Sequence, residues 1–203
     1  MTKRLEFLFD FGSPNAYLAY RALPPILERT GAELGIMPCL LGGLFKLTGN
    51  QAPLVAFAGV KGKVEYEKLE IKRFVAKHGL TKFRMNPHFP VNTLMLMRGL
   101  VAARLRGEEA AYLEMGLRGL WEEGLKLDDR DVLESRMAEA GLDAERLFQD
   151  SELPEVKQSL AAATPAAVAR GAFGIPTFFV GKEMFFGKDR LGQVEEELAK
   201  TSS

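Results

Sequence analysis

Apolar and polar residues alternate near the amino terminus, and the alternation then gives way to a turn. The apolar positions of this run are Leu5, Phe7, Phe9 and Phe11. Their spacing is typical of a strand that packs mainly on one face. Gly12 ends the run, Ser13 is a favourable helix N-cap, and Pro14 suits the first helical position because its missing N–H would be unpaired there. The pattern predicts a strand that brings the Ser13 hydroxyl to a helix N-terminus, where backbone N–H groups and the helix dipole favour an anion.

The following segment predicts a helix and a second strand. Apolar residues from Tyr17 to Leu27 recur at helical spacing until Gly31, and the adjacent prolines 24 and 25 must kink or divide the helix. Leu34 and Ile36 then indicate a strand. A strand, helix and strand in this order imply a right-handed parallel crossover, which is the beginning of an α/β fold.

From residue 42 to about residue 163 the chain shows helical spacing and no strand pattern. Predicted helices end at glycines such as Gly79. Others begin at polar caps: Asn92, Asp128 or Asp129, and Asp143. The middle of the chain is therefore predicted to be a block of helices.

The last forty residues return to mixed structure. Residues 177–180 and 183–186 read as two strands around the turn Gly181-Lys182, and Asp189 is placed to cap a final helix. The complete order is typical of a thioredoxin-like α/β fold with a large all-helical insertion after the second strand. We predict a thioredoxin-like domain from residues 1–41 and 164–203, an insertion subdomain from 42–163, and a ligand cleft between them.

The charge balance and the cysteine content limit the kinds of partner that the chain is expected to bind. The 27 basic and 27 acidic side chains cancel, so no global field attracts nucleic acid or anionic lipid, and a small neutral or zwitterionic ligand fits better. Acidic residues interrupt the first apolar run, no segment is long enough to span a bilayer, and Cys39 stands alone. We therefore expect a cytoplasmic protein without nucleic-acid or membrane partners, in which Cys39 is a buried structural thiol. The two histidines, His78 and His88, offer no helix-face metal pair.

The start of the first helix is the candidate chemical site. In dithiol oxidoreductases of this architecture a Cys-x-x-Cys motif occupies the positions that are Ser13, Pro14, Asn15 and Ala16 in this chain. Both thiols are missing, so a thiol that acts here must come from the ligand, and glutathione is the obvious candidate. The alternative for Ser13 is a plain N-cap.

Several short segments together carry a family resemblance. They are residues 9–14 with 17–19, 48–50, 89–94, and 173–177 with 186–191. In this order they make the chain resemble, over nearly its whole length, the 2-hydroxychromene-2-carboxylate isomerase family, relatives of the kappa-class glutathione transferases. The resemblance implies a glutathione-dependent isomerase that interconverts 2-hydroxychromene-2-carboxylate and trans-o-hydroxybenzylidenepyruvate in aromatic catabolism. It also implies that Ser13 donates a hydrogen bond to the glutathione thiolate.

The resemblance assigns further residues to two groups. The expected glutathione contacts are Asn50, the cis-proline pair Ile175 and Pro176, and Phe186, Gly187, Lys188 and Asp189 of the last loop. Asp189 would hold the γ-glutamyl ammonium, although it is also a natural N-cap. Asn50 either binds a carboxylate or supports a turn, and Pro176 is otherwise a proline at a strand entry.

The expected substrate contacts are Lys46, Lys63, Tyr66 and Asn86. Lys63 and Tyr66 also belong to a mixed-charge run of the kind that usually forms a solvated helix face. The partner is expected to be a small aromatic carboxylate, and the chain is expected to form a homodimer.

Two other functions are compatible with the same residues. A kappa-like glutathione transferase would leave glutathione attached to an electrophile, whereas a non-catalytic thiol-binding or interaction protein would keep the fold without turnover.

Overall fold

The computed structural model describes residues 3–200 and contains one four-stranded sheet with helices around it. The strands are β1 Arg4–Phe9, β2 Glu33–Pro38, β3 Thr177–Val180 and β4 Glu183–Phe186. The helices before the middle of the chain are α1 Pro14–Ala22, α2 Pro24–Thr30, α3 Leu41–Thr48, α4 Pro53–Ala56 and α5 Lys63–His78. The later helices are α6 Leu94–Leu105, α7 Glu109–Trp121, α8 Arg130–Glu139, α9 Ala144–Ser151, α10 Pro154–Ala169 and α11 Leu191–Ala199, with a single 3₁₀ turn at Lys188–Arg190.

The sheet has the order β2-β1-β3-β4, so β1 and β3 are the two central strands. β1 runs parallel to β2 and antiparallel to β3, so that Leu8 is paired with Met37 on one side and with Thr177 on the other. β3 and β4 form the predicted hairpin. The parallel crossover and the carboxy-terminal hairpin are both confirmed.

The sequence forms α1 as predicted. Ser13 is its N-cap, the Ala16 N–H donates to the Ser13 hydroxyl at 3.2 Å, and Pro14 is the first helical residue. The adjacent prolines separate α1 from α2, which ends at Gly31 with a φ of 64°. This positive φ is inexpensive only for glycine.

The helical block is inserted between β2 and β3. Its α6 and α7 pack together at the centre, while α10 lies against α3, α6 and α9 and returns the chain to the sheet. The all-helical insertion after the second strand is thus confirmed for the described residues. The predicted boundary between residues 163 and 164 falls inside α10, so the division into domains stays a prediction.

Some of the predicted helix N-caps are confirmed by the structure and others are not. Asp129 and Asp143 are the N-caps of α8 and α9, and each accepts a hydrogen bond from its own helix. The N-cap position of α6 is Thr93, but the side chain of the predicted Asn92 does accept a hydrogen bond from the Leu94 N–H at 3.1 Å. The predicted capping role of Asp189 is wrong, because Asp189 lies within the 3₁₀ turn and Arg190 is the N-cap of α11.

Between residues 3 and 200, no helix is both long and apolar enough to cross a membrane.

Candidate active site

Ser13 and the proline loop before β3 meet at the N-terminus of α1. The Ser13 side chain is buried, with 4% exposed, and its hydroxyl donates to the Ile175 carbonyl at 3.0 Å. The Ile175–Pro176 peptide bond is cis, as the resemblance implies. The fold therefore joins two segments from opposite ends of the chain into one site, with the positive end of the α1 dipole directed at the Ser13 hydroxyl.

A buried carboxylate lies immediately before this turn. Asp10 Oδ1 accepts hydrogen bonds from the Gly12 N–H at 2.9 Å and the Thr93 hydroxyl at 2.7 Å, and Oδ2 accepts one from the Leu41 N–H at 2.7 Å. Burial raises the pKa of Asp10 above its ordinary value, although the three hydrogen bonds oppose the rise. The carboxylate thus ties the Ser13 turn to the first residue of α3 and to the N-cap of α6.

The only tryptophan supports the same turn from the insertion. Trp121 is buried at the end of α7, and its indole N–H donates to the Phe11 carbonyl at 3.0 Å. Its ring lies 6.3 Å from Phe83 and 6.1 Å from Phe89, measured between centroids. Sequence reasoning missed Asp10, Thr93 and Trp121 as parts of the site. The one available signal was an acidic residue at the end of an otherwise apolar run.

The loop after β4 lies beside the cis-proline. The Gly187 N–H donates to the Pro176 carbonyl at 2.9 Å, and the φ of Gly187 is 96°, which a residue with a side chain rarely adopts. Phe186 packs on Phe173 with ring centroids 4.5 Å apart. The fold therefore brings the predicted residues Phe186 and Gly187 to the loop that contains Ile175 and Pro176.

Lys188 and Asp189 form an ion pair at the edge of this loop. The Lys188 ammonium is buried, lies 3.0 Å from both oxygens of Asp189, and sits 5.3 Å above the ring centroid of Phe74 in α5. The Asp189 side chain is 60% exposed. One ion of the pair is thus fixed inside the protein, while the carboxylate faces outward and is accessible to a ligand.

Four of the residues predicted to contact glutathione or substrate lie in the segment of residues 46–66. Lys46 is in α3, and Asn50 follows Gly49, whose φ is 69°. The Lys63 ammonium pairs with Glu67 at 2.5 Å and lies 5.8 Å from the ring centroid of Tyr66, which is half exposed. Among residues 3–200 we find no hydrogen bond that joins these four side chains to Ser13 or Pro176, so their roles stay predictions.

Asn86 is fully engaged inside the protein. Its side-chain N–H groups donate to the carbonyls of Leu120 and Leu125, both at 2.9 Å, and its Oδ1 accepts from the His88 N–H at 2.7 Å. The residue is buried and holds the loop before α6 against the end of α7. Both side-chain N–H groups are already used, and its predicted role as a substrate contact stays a prediction.

A cavity of about 350 Å³ lies between α1 and the insertion, and three of the charged side chains in its walls, Arg21, Glu114 and Glu122, are joined by ion pairs. Arg21 contacts Glu114 at 2.6 Å and Glu122 at 2.8 Å, and the Tyr17 hydroxyl donates to Glu122 at 3.0 Å. Burial raises the pKa of Tyr17 to about 12, so the phenol keeps its proton. In the part of the chain that the structure describes, no group of three or more His, Cys, Asp or Glu side chains is arranged to hold a metal ion.

The fold and the site define a thioredoxin-like protein in which a serine stands where dithiol enzymes have their first cysteine. Residues 4–199 match the model of the DSBA-like thioredoxin domain family, and the chain belongs to this family.

Two relatives and one solved structure resemble the chain over most of its length. It is 30% identical to a 2-hydroxychromene-2-carboxylate isomerase of Pseudomonas putida, over 97% of this chain and 94% of the relative. It is also 30% identical to glutathione S-transferase kappa 1 of Rattus norvegicus, over 92% and 87%. The solved structure of a 2-hydroxychromene-2-carboxylate isomerase superimposes with a TM-score of 0.80 at 26% identity, covering 95% of this chain and 93% of that one. The predicted fold class and the predicted resemblance are confirmed.

Proposed function

We propose that the chain is a glutathione-dependent cis–trans isomerase that acts on 2-hydroxychromene-2-carboxylate and trans-o-hydroxybenzylidenepyruvate. One observation carries the proposal: a buried hydroxyl stands at the N-terminus of α1, against the carbonyl that precedes the cis-proline, and Ala16 occupies the second cysteine position. This arrangement stabilises a thiolate but supplies none. It therefore fits a reaction in which a bound molecule supplies the thiol and is regenerated at the end.

The residues present fit glutathione. The Ser13 hydroxyl and the helix dipole would face its sulfur, the backbone at Ile175 would pair with its cysteinyl unit, and the exposed Asp189 carboxylate would hold its γ-glutamyl ammonium. Asn50 is proposed to contact a glutathione carboxylate. When bound, glutathione supplies a thiolate that adds reversibly to a conjugated double bond, and so allows rotation about that bond.

Ser13 has one task in this reaction. Its hydroxyl exchanges the Ile175 carbonyl for the sulfur as hydrogen-bond acceptor, which lowers the pKa of the bound thiol and keeps it ionised near neutral pH. The hydroxyl proton stays on Ser13 throughout, so no neighbouring base is required. The proposed substrate is a small aromatic carboxylate, and Lys46, Lys63 and Tyr66 are proposed to bind its carboxylate and ring.

We further propose that the protein acts in the cytoplasm as a homodimer. Size-exclusion chromatography with light scattering tests the dimer directly, since a single species of about 45 kDa is expected from a 22.5 kDa chain. A mass equal to that of one chain would contradict it.

The second candidate is a kappa-like transferase, which the similarity to the rat enzyme favours. The deciding assay incubates the protein with 2-hydroxychromene-2-carboxylate, with and without glutathione, and follows the absorbance spectrum. A generic aromatic electrophile is assayed in parallel. We expect glutathione-dependent equilibration of the two isomers with no net consumption of glutathione. A stable glutathione conjugate would support the transferase, and glutathione binding without any turnover would support the non-catalytic alternative.

Replacing Asp189 with asparagine is expected to weaken glutathione binding about three- to fivefold, because the variant loses the charge that faces the γ-glutamyl ammonium at an exposed position, while the asparagine oxygen still accepts a hydrogen bond from the buried Lys188 ammonium. Isothermal titration with glutathione and with Cys-Gly, which lacks the γ-glutamyl unit, measures the effect. The variant should bind Cys-Gly as the unmodified protein does. Asp143→Asn, which changes a distant N-cap of α9, is the matched control. Equal weakening for both ligands would argue against the assigned contact.

A further inference from the structure

Asp10 is a buried carboxylate that links three separate parts of the chain. Its side chain is 1% exposed, and its three hydrogen-bond partners come from the Ser13 turn, from α3 and from the N-cap of α6. Each partner is an uncharged donor, so the contacts of the carboxylate are directional hydrogen bonds and not ion pairs. Such a buried group depends strongly on every donor it has, because an unpaired buried charge is costly.

Neither N-cap side chain bonds to its own helix at these two helix starts, although the Asn92 side chain accepts the Leu94 N–H at the start of α6 at 3.1 Å. Thr93 is the N-cap of α6, yet its hydroxyl donates to Asp10 and makes no bond to its own helix. Leu40, the N-cap of α3, has no polar side chain, and Asp10 accepts the N–H of the first residue of α3 in its place. A single carboxylate therefore takes the capping position at α3 and fixes the start of α6.

This arrangement sets the distance between the two halves of the proposed site. Asp10 lies three residues before Ser13, and its acceptance of the Gly12 N–H shapes the turn that presents the Ser13 hydroxyl. The same carboxylate holds α3, which carries Lys46 and leads directly to Asn50. A shift at Asp10 would move the thiol activator relative to the residues proposed to bind ligand, and displacements of about 1 Å cost reaction rates heavily.

We propose that Asp10 and Thr93 are positioning residues for Ser13, and that through them the helical insertion controls the geometry of the bound thiol. This inference rests on the proposed function. Neither residue touches substrate or glutathione. Their contribution is transmitted through the Ser13 hydroxyl and disappears when that hydroxyl is absent.

Thr93→Val tests the inference because valine has the same shape, leaves the Asp10 charge in place and removes one donor. We expect kcat for isomerisation to fall about tenfold in the unmodified chain and less than about twofold in a Ser13→Ala background. Thr93→Ser restores the hydroxyl and is expected to restore kcat. The matched control is Thr30→Val, which removes a hydroxyl bond to the Ile26 carbonyl at the end of α2. An equal fold loss in both Ser13 backgrounds, or no loss at all, would overturn the proposal.

Amide hydrogen exchange separates this inference from the proposed function. Without any ligand, Thr93→Val should accelerate exchange at the Gly12 and Leu41 N–H groups, because both donate to the same carboxylate, whereas Thr30→Val should not. If the unmodified chain shows no isomerase turnover, the proposed function fails and this exchange measurement still decides the linkage. Unchanged exchange at both amides would refute it.

Discussion

Ser13→Ala is expected to lower kcat for glutathione-dependent isomerisation by about 10²-fold while glutathione still binds. The hydroxyl is the side-chain donor aimed at the place where the sulfur would carry negative charge, and loss of one such donor typically costs two to three orders of magnitude. The rest of the glutathione site, including the Asp189 carboxylate, is unchanged by the substitution. Steady-state kinetics and titration calorimetry on the same preparation measure the two quantities.

The pH dependence gives a second measure of the Ser13 role. Without the hydrogen bond the bound thiol has a higher pKa, so the rising limb of the rate profile should move to higher pH in the variant. Ser151→Ala is the matched control, since Ser151 is also 4% exposed and its hydroxyl also donates to a backbone carbonyl, that of Phe148, at 2.7 Å. A kcat in Ser13→Ala equal to that of the unmodified chain would show that Ser13 has no role in the mechanism.

Gly116→Ala is expected to destabilise the protein by about 2–3 kcal/mol, although the same change in an exposed helix usually stabilises. A methyl group at this position in α7 would lie 2.5 Å from Cε1 and 2.9 Å from Cζ of Phe11. The Phe11 ring is fully buried and also packs on Phe9, with ring centroids 4.9 Å apart, so it has little room to move. Chemical denaturation of the variant measures the loss.

Gly192→Ala is the control for this change. Gly192 is also helical, in α11, and no atom lies within 4 Å of the position that its Cβ would take. We expect the free energy of unfolding of this variant to stay the same or to rise slightly. A Gly116→Ala variant as stable as the unmodified chain would show that α7 is not tightly packed against the segment before Ser13.

The sequence predicted the local parts of the site well because their signals are local. Strand alternation, Gly12, the N-cap Ser13 and Pro14 together specify a strand, a turn and a helix start, and the structure has all three. The hairpin of β3 and β4 follows in the same way from two short apolar runs around a two-residue turn. The cis-proline followed from the family resemblance, because an isolated proline rarely indicates a cis bond.

Contacts between distant segments had no such signal. The pairing of Asp10 with Thr93 and of Trp121 with the Phe11 carbonyl depends on how the insertion packs, which no local pattern encodes. Asn86, which the family resemblance assigned to the substrate, also makes three hydrogen bonds to backbone groups, and no local pattern predicts those to the Leu120 and Leu125 carbonyls. At Asp189 the sequence left two roles open: the cap is excluded because the residue lies within the 3₁₀ turn, and the ligand contact stays a prediction.

The position of β1 at the centre of the sheet has a consequence for the growing chain. β1 pairs with β2 soon after both are synthesised, but its other neighbour, β3, is synthesised only after the whole helical insertion. Until then one hydrogen-bonding edge of β1, with Phe7 beside it, is open to other chains. The helices between them have time to fold first, so the nascent protein would hold a finished helical unit beside an unfinished sheet that depends on protection from aggregation.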